Sequence, residues 1–171
     1  MRSPQLLAAF LLTLVAASAA QEQPRSPGGF DLTVQGLWSW QFDDGSSEST
    51  PGVGVGLGYA LPQGLAIELR GSYRSWDQVR YLPLHAGLRY DLRVHPSITI
   101  APFAGAGPSL VSGNDWSSVF FSFDVGSRVY LSLGQEGRLR LSLEAAYGRG
   151  MAFHPSAFGV ANVGLGLSLG L

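Results

Sequence analysis

Residues 52–61, GVGVGLGYAL, alternate strictly between glycine or alanine and a larger apolar side chain. The larger side chains are Val53, Val55, Leu57, Tyr59 and Leu61. Successive side chains of a β-strand point to opposite faces of the sheet, whereas the apolar face of a helix repeats about every 3.6 residues. This stretch therefore predicts a β-strand with one apolar face and one face of very small residues.

The same alternation predicts seven further strands, within residues 30–42, 64–76, 79–93, 97–110, 118–133, 138–149 and 156–171. The pattern is weakest in residues 97–110, which prolines interrupt. An even number of strands, here eight, is typical of single-chain bacterial membrane barrels.

The connections between these strands alternate in kind. Three are tight, at residues 62–63, 94–96 and 134–137. The other four are on average longer and more polar, at residues 43–50, 75–78, 111–117 and 150–155. Short turns at one end and longer loops at the other are typical of an outer-membrane barrel, with the loops outside the cell and both termini in the periplasm.

The composition favours a membrane barrel over a soluble domain. Of the 171 residues, 46% are hydrophobic and only 13% are charged, against about 25% charged in a soluble domain. Beyond the N-terminus no run of about 20 apolar residues occurs, which excludes a membrane-spanning helix. The chain contains no cysteine, which excludes disulfides and thiolate metal sites, and its net charge of −1 offers no basic surface to nucleic acid.

The alternation leaves open which face points outward, because a soluble barrel of the lipocalin type would turn its apolar face inward. The low charge content and the mixed signs of the polar face favour a lumen filled by paired side chains. We therefore expect a salt-bridged plug rather than an open pore, in which the carboxylates are candidate partners of the arginines. The expected lumen charge network is Glu68, Arg70, Arg89, Asp124, Arg128, Arg138, Arg140 and Glu144.

On the apolar face, aromatic residues lie near the predicted ends of the strands. Lipid-facing strands carry a girdle of aromatic residues at each of the two membrane interfaces. Trp76 and Trp116 also lie near loop-side strand ends, and anchoring at the interface is favoured there over contact with a ligand or receptor. The expected interface aromatics are Trp38, Trp40, Tyr73, Phe121 and Tyr147 on the loop side, with Tyr59 and Tyr90 on the turn side.

The N-terminus has the three parts of a secretory signal peptide. Arg2 supplies the positive charge, residues 6–15 form an apolar core too short to span a membrane, and Ala17, Ser18 and Ala19 are small residues at the cleavage position. An uncleaved anchor is the alternative. The expected organisation is a signal peptide at residues 1–20, a polar lead-in at 21–29 and the barrel at 30–171.

Three segments resemble a known family: residues 101–107 (APFAGAG), 123–131 (FDVGSRVYL) and 141–147 (LSLEAAY). They resemble the small outer-membrane β-barrel proteins, which include the OmpA-like transmembrane domain, OmpX and opacity-type proteins. The resemblance covers roughly residues 30–171 and implies an eight-stranded antiparallel up-and-down transmembrane β-barrel. Residues 166–171 (GLSLGL) are similar to the signal that the barrel-assembly machinery reads, but end on Leu171 where an aromatic residue is usual.

His154 and Ser156 are the residues whose types suggest catalysis. A His-x-Ser pair resembles the dyad of outer-membrane lipid A deacylases, in which a carboxylate orients the histidine. No acidic residue follows in the last strand. Glu144, on another strand, remains available for that role. A chance loop sequence is therefore favoured over a catalytic site.

The remaining polar residues point to no chemistry. His85 is expected in the lumen and His95 in a periplasmic turn, and three scattered histidines offer no metal-ligand spacing. The pairs Asp43-Asp44 and Asn114-Asp115 are expected to be solvated loop residues rather than a cation site.

We expect a non-enzymatic integral outer-membrane protein with a structural or surface-interaction role and no cofactor or metal. A lipid-modifying hydrolase using His154 and Ser156 and a narrow solute channel are the alternatives. The expected partners are outer-membrane lipid and, through the C-terminal strand, the barrel-assembly machinery. No nucleic acid is expected, and the protein is expected to be a monomer.

Overall fold

The computed structural model describes residues 28–43, 46–76, 78–133, 138–151 and 159–171. The predicted signal peptide and most of the predicted lead-in lie outside the described residues. So do the predicted dyad residues His154 and Ser156. In the part of the chain that the structure describes, no helix has the length and apolar character needed to cross a membrane.

The strand segments form one closed antiparallel sheet. Neighbours in sequence pair with each other, and the pairing of β1 with β9 and of β4 with β6 closes the ring. Because β4 and β5 are two parts of the fourth barrel strand, the barrel is eight-stranded, as predicted. The segments are β1 (Phe30–Asp43), β2 (Ser46–Ala60), β3 (Leu65–Trp76), β4 (Val79–Tyr90), β5 (Leu92–His95), β6 (Ile98–Ser112), β7 (Ser117–Leu133), β8 (Leu139–Met151) and β9 (Gly159–Gly170).

The two ends of the barrel are named here by their connections. The loop end carries the connections after β1, β3, β6 and β8. The turn end carries the two ends of the β-sheet, near Phe30 and Leu171, and the connections after β2, β5 and β7. The connection from β2 to β3 is a single 3-10 turn, Pro62–Gly64, in which Gln63 and Gly64 have positive φ.

The fourth strand, predicted as continuous over residues 79–93, is interrupted at Asp91. Pairing with β6 shifts its register between Arg93 and His95. Arg89 Nε donates to Asp91 Oδ1 at 2.7 Å, which holds both side chains together inside the barrel. Just beyond, Leu92 is buried although the alternation predicts that it faces outward. The register with β6 is the same on both sides of Asp91, because Arg89 pairs with Phe103 and Leu92 pairs with Ile100. Leu92 therefore keeps its parity, and the interruption at Asp91 does not account for its burial.

The first loop-end connection is shorter than predicted. The polar residues 43–50 predict a loop, but Ser46–Thr50 continue β2 and pair with β1 as far as the pair of Asp43 with Ser46. Backbone hydrogen bonds of a ladder form whether the side chains are polar or apolar. The β1–β2 hairpin therefore extends beyond the apolar part of both strands.

The outward face of the barrel is apolar and the inward face is polar, as predicted. Leu69 and Leu165 are about 59% and 60% exposed on the outside. Among the described residues, Arg89, Arg128 and Tyr130 are the largest fully buried side chains. Large apolar side chains all around the exterior, with charges inside, are the arrangement of a barrel whose solvent is lipid.

Candidate functional site in the barrel lumen

Arg89 organises the turn-end part of the lumen. Its guanidinium donates from Nη2 to Asp31 Oδ2 and from Nε to Asp91 Oδ1, each at 2.7 Å, and Nη1 lies 3.2 Å from Glu68 Oε1. A Cβ atom at Gly58 would lie 2.9 Å from Asp31 Oδ2. The glycine row of β2 therefore leaves the space that this ion pair occupies.

Glu68 links Arg89 to a second buried arginine, Arg128. Arg128 Nη1 donates to Glu68 Oε1 at 2.7 Å and Nη2 donates to Glu144 Oε2 at 2.6 Å. The guanidinium of Arg140 lies over the ring of Tyr130, 4.1 Å from its centroid. We call the following residues the ion-pair cluster: Asp31, Glu68, Arg89, Asp91, Arg128, Arg140 and Glu144.

Close pairing explains how so many charges remain inside the barrel. A buried charge without a partner is strongly destabilising, whereas charge-assisted hydrogen bonds of this length offset much of the desolvation cost. The ion-pair cluster holds three arginines and four carboxylates, and the excess negative charge faces Arg70, whose Nε lies 3.4 Å from Glu68 Oε2. The cluster therefore fills the lumen with neutralised, mutually fixed side chains.

A chain of hydrogen-bonded residues continues from the ion-pair cluster toward the loop end. Arg70 Nη2 donates to Asp124 Oδ1 at 2.7 Å, and His85 Nδ1 lies 3.2 Å from the same oxygen. His85 Nε2 is 2.7 Å from Ser122 Oγ, which is hydrogen-bonded in turn to Ser109 Oγ. We call these five residues the polar chain.

Ser122, His85 and Asp124 follow the order of a hydrolase triad, but they lack the access that such a triad needs. Ser122 is buried, is held by Ser109 as well as by His85, and does not line the lumen cavity. A nucleophile must reach a substrate carbonyl. The arrangement here is a hydrogen-bond network that fixes the lumen side chains.

Apolar and aromatic side chains close the loop end of the lumen. Trp76, Tyr81 and Val160 form a buried core, against which Val111 and Phe120 pack. The rings of Tyr81 and Phe120 stack in parallel with centroids 6.1 Å apart. We call these five residues the aromatic cap. A cavity of about 40 Å³ lies in the lumen beside the polar chain, with Tyr81 and Val160 of the cap and Arg128 and Glu144 of the cluster in its walls.

The predicted lumen charges fall into two groups. Glu68, Arg70, Arg89, Asp124, Arg128, Arg140 and Glu144 lie inside the barrel, in the ion-pair cluster or the polar chain. Arg138 does not belong to the lumen: it is exposed and precedes β8 at the turn end. It has the parity of Arg140, but it lies at the rim of the barrel, beyond the filled interior.

The seven predicted interface aromatics all lie on the outward face. All seven are exposed, and they form two sets. One set lies toward the loop end (Trp38, Trp40, Tyr73, Phe121 and Tyr147) and the other at the turn end (Tyr59 and Tyr90). Trp76 is different. The sequence favours anchoring at the membrane interface, but the structure buries Trp76 in the aromatic cap. It shares the inward parity of Arg70. Trp116 is exposed in the loop after β6.

The histidines that the structure describes are His85 and His95. His85 lies in the lumen, and His95 lies at the exposed turn end, where its Nδ1 accepts from the backbone N–H of Ser97. Within the described ranges, no group of three or more histidine, aspartate and glutamate side chains is arranged to hold a metal ion.

Sequence reasoning missed several lumen residues. Asp31 has inward parity, but its pairing with Arg89 joins two strands that are distant in sequence. Asp91 has the same parity as Arg89 and follows it by two residues, so the sequence did offer a signal for that pair. Phe103 is buried beneath Arg70, whose guanidinium carbon lies 4.0 Å from the ring centroid. Leu37 is also buried inside the barrel. The parity of Leu37 along β1 and of Phe103 along β6 predicts that both point inward. Both are apolar, however, whereas the other inward-facing residues suggest a polar lumen.

Comparison with known proteins agrees with this geometry. The sequence matches the family described as outer membrane protein beta-barrel domain over residues 6–169. The chain belongs to this outer membrane β-barrel family. Its place is accordingly the bacterial outer membrane. No curated protein sequence matches it.

Several solved structures resemble this outer membrane barrel. Neisserial surface protein A has a TM-score of 0.72 at 10% identity, over 82% of this chain and 96% of that chain. Ail, the attachment invasion locus protein of Yersinia pestis, has a TM-score of 0.57 at 14% identity, over 85% and 100%. The outer membrane enzyme PagL has a TM-score of 0.54 at 16% identity, over 80% and 98%. At these identities the likeness shows the fold alone.

Proposed function

We propose that this outer membrane barrel is a non-enzymatic protein with a structural or surface-interaction role, and that it conducts no solute. The observation that carries the proposal is the filled lumen. The ion-pair cluster occupies its turn-end part and the aromatic cap its loop end, and each buried arginine of the cluster contacts a carboxylate. An eight-stranded barrel encloses little more than its own side chains, so a fixed network of this size leaves no room for a water-filled path.

The supporting surfaces are the exterior and the loop end. The apolar exterior suits outer-membrane lipid, and the closed ring of strands leaves no unpaired edge, which supports a monomer. The proposal includes export directed by residues 1–20 and recognition of β9 by the barrel-assembly machinery. A surface partner would meet the long β1–β2 hairpin and the exposed Trp116.

The absence of conduction is tested in planar lipid bilayers. The purified, folded protein is expected to give no step-like current, because opening a path requires separating several buried ion pairs at once. An open porin inserted in the same membranes is the control for insertion and detection. Discrete, reproducible current steps from the wild-type barrel would overturn the proposal and favour the narrow solute channel.

The non-enzymatic part of the proposal is tested on lipid A. Mass spectra of lipid A from outer membranes with and without the protein are expected to be identical, because a serine nucleophile needs an oriented histidine and the sequence supplies no clear third member. The variants His154→Ala and Ser156→Ala are the matched controls. Loss of an acyl chain with the wild type, abolished by His154→Ala, would establish the hydrolase instead.

A further inference from the structure

Arg74 differs from the other buried arginines of the lumen. Arg74 is 5% exposed, and its Nε donates to Ser39 Oγ at 2.7 Å. Its guanidinium carbon lies 5.4 Å from the centroid of the Tyr81 ring. Among the residues that the structure describes, no carboxylate oxygen lies within 4.0 Å of it. Arg70, Arg89, Arg128 and Arg140 each have such a carboxylate. A buried guanidinium without a counter-ion is costly.

The guanidinium of Arg74 faces the lumen cavity of about 40 Å³. The walls carry three arginines, Arg70, Arg74 and Arg128, against the two carboxylates Asp124 and Glu144. Both carboxylates are engaged elsewhere, Asp124 by Arg70 at 2.7 Å and Glu144 by Arg128 at 2.6 Å. The positive charge of Arg74 is therefore the one that the cavity walls leave without a close partner.

Neutral polar groups on the same walls also lack partners. Gln35 Oε1, Asn162 Oδ1 and Thr33 Oγ1 are buried and make no hydrogen bond to the protein. An amide group presents either its oxygen or its NH₂ after a flip, and a hydroxyl can rotate to donate. The cavity has room for about three water molecules. A small anion with one or two waters fits this volume and would satisfy these groups together.

We propose that Arg74, with the amides of Gln35 and Asn162, binds a small monovalent inorganic anion such as chloride inside the barrel. The anion supplies the close counter-charge that Arg74 lacks in the loop-end half of the lumen. It is a resident counter-ion held beneath the aromatic cap, and it accounts for an arginine that the protein's own acids leave unpaired.

Bromide locates the site directly in the wild-type protein. Crystals soaked in sodium bromide are expected to show an anomalous peak in the cavity, within hydrogen-bonding distance of the Arg74 guanidinium. A cavity that contains only water, or bromide bound only at surface arginines, would overturn the proposal. This measurement requires no variant to fold.

Stability in solution provides a second, independent test. The urea midpoint of the wild type in detergent micelles is expected to rise with chloride and to saturate, relative to gluconate at equal ionic strength, because gluconate is too large for the cavity. Arg74→Gln is expected to lose this chloride-specific shift. Arg80→Gln, on the exposed side of the adjacent strand β4, is the matched control and should retain it. Equal chloride responses of wild type and Arg74→Gln would contradict the site.

Discussion

At the scale of single residues, Glu68 is the centre of the lumen. One carboxylate contacts Arg128 at 2.7 Å, Arg89 at 3.2 Å and Arg70 at 3.4 Å. The alternation along β3 predicts that Glu68 points inward with Arg70. The three partners come from β3, β4 and β7, and no pattern within one strand indicates that they converge. The residue could therefore be assigned to the lumen from the sequence, but its role in the lumen could not.

Neutralising Glu68 is expected to destabilise the barrel strongly. Glu68→Gln keeps the shape of the side chain but leaves three buried guanidinium groups short of one negative charge. Removing one member of a buried ion pair typically costs about 3–5 kcal/mol of unfolding free energy. Urea unfolding in detergent micelles measures this loss.

The matched control is Glu48→Gln, which removes an exposed charge from the loop-end part of β2. An exposed substitution of this kind is expected to change stability by less than about 0.5 kcal/mol. Equal unfolding midpoints for the two variants would show that the ion-pair cluster contributes little to the stability of the barrel.

At the scale of strands, prediction succeeded where alternation was regular and failed where the chain departed from it. The glycine-rich segment of β2 and the leucine-rich β9 were readable because one face is small and the other large. The polar start of β2, Ser46–Thr50, could not be predicted as a strand, because it is held by pairing with β1 rather than by a pattern in its own side chains. The break at Asp91 was not predicted either, because the alternation of polar and apolar residues continues through it in the sequence.

The outward face of each strand makes a depth-dependent prediction. Leu165, near the middle of β9, is 60% exposed. In lipid, Leu165→Arg is expected to cost about 2–4 kcal/mol, while Val119→Arg, near the loop end of β7, is expected to cost about 0–1 kcal/mol. Unfolding in lipid vesicles measures both. Equal, small effects would indicate that water rather than lipid surrounds the exterior.

At the scale of the whole molecule, closure of the sheet decides what the charges do. The pairing of β4 with β6 and of β1 with β9 brings together residues distant in sequence, such as Asp31 and Arg89. The closed ring also separates the lumen into three levels: the ion-pair cluster, the polar chain with its cavity, and the aromatic cap. The filled interior supports a structural role, and Arg74, which has no close carboxylate among the described residues, lies at the level where we propose the anion.

The sequence by itself determined that the chain is an eight-stranded membrane barrel, which face of most strands points outward, and that charges occupy the lumen. Alternation is a property of each segment and low charge content a property of the composition, so both can be read directly from the sequence. Only the tertiary structure decided which charges pair, that Trp76 and Phe103 lie inside, and that Arg74 has no carboxylate beside it among the described residues. The physical reason is that alternation fixes the face of a residue, whereas its height relative to residues on other strands depends on the register between strands and on barrel closure.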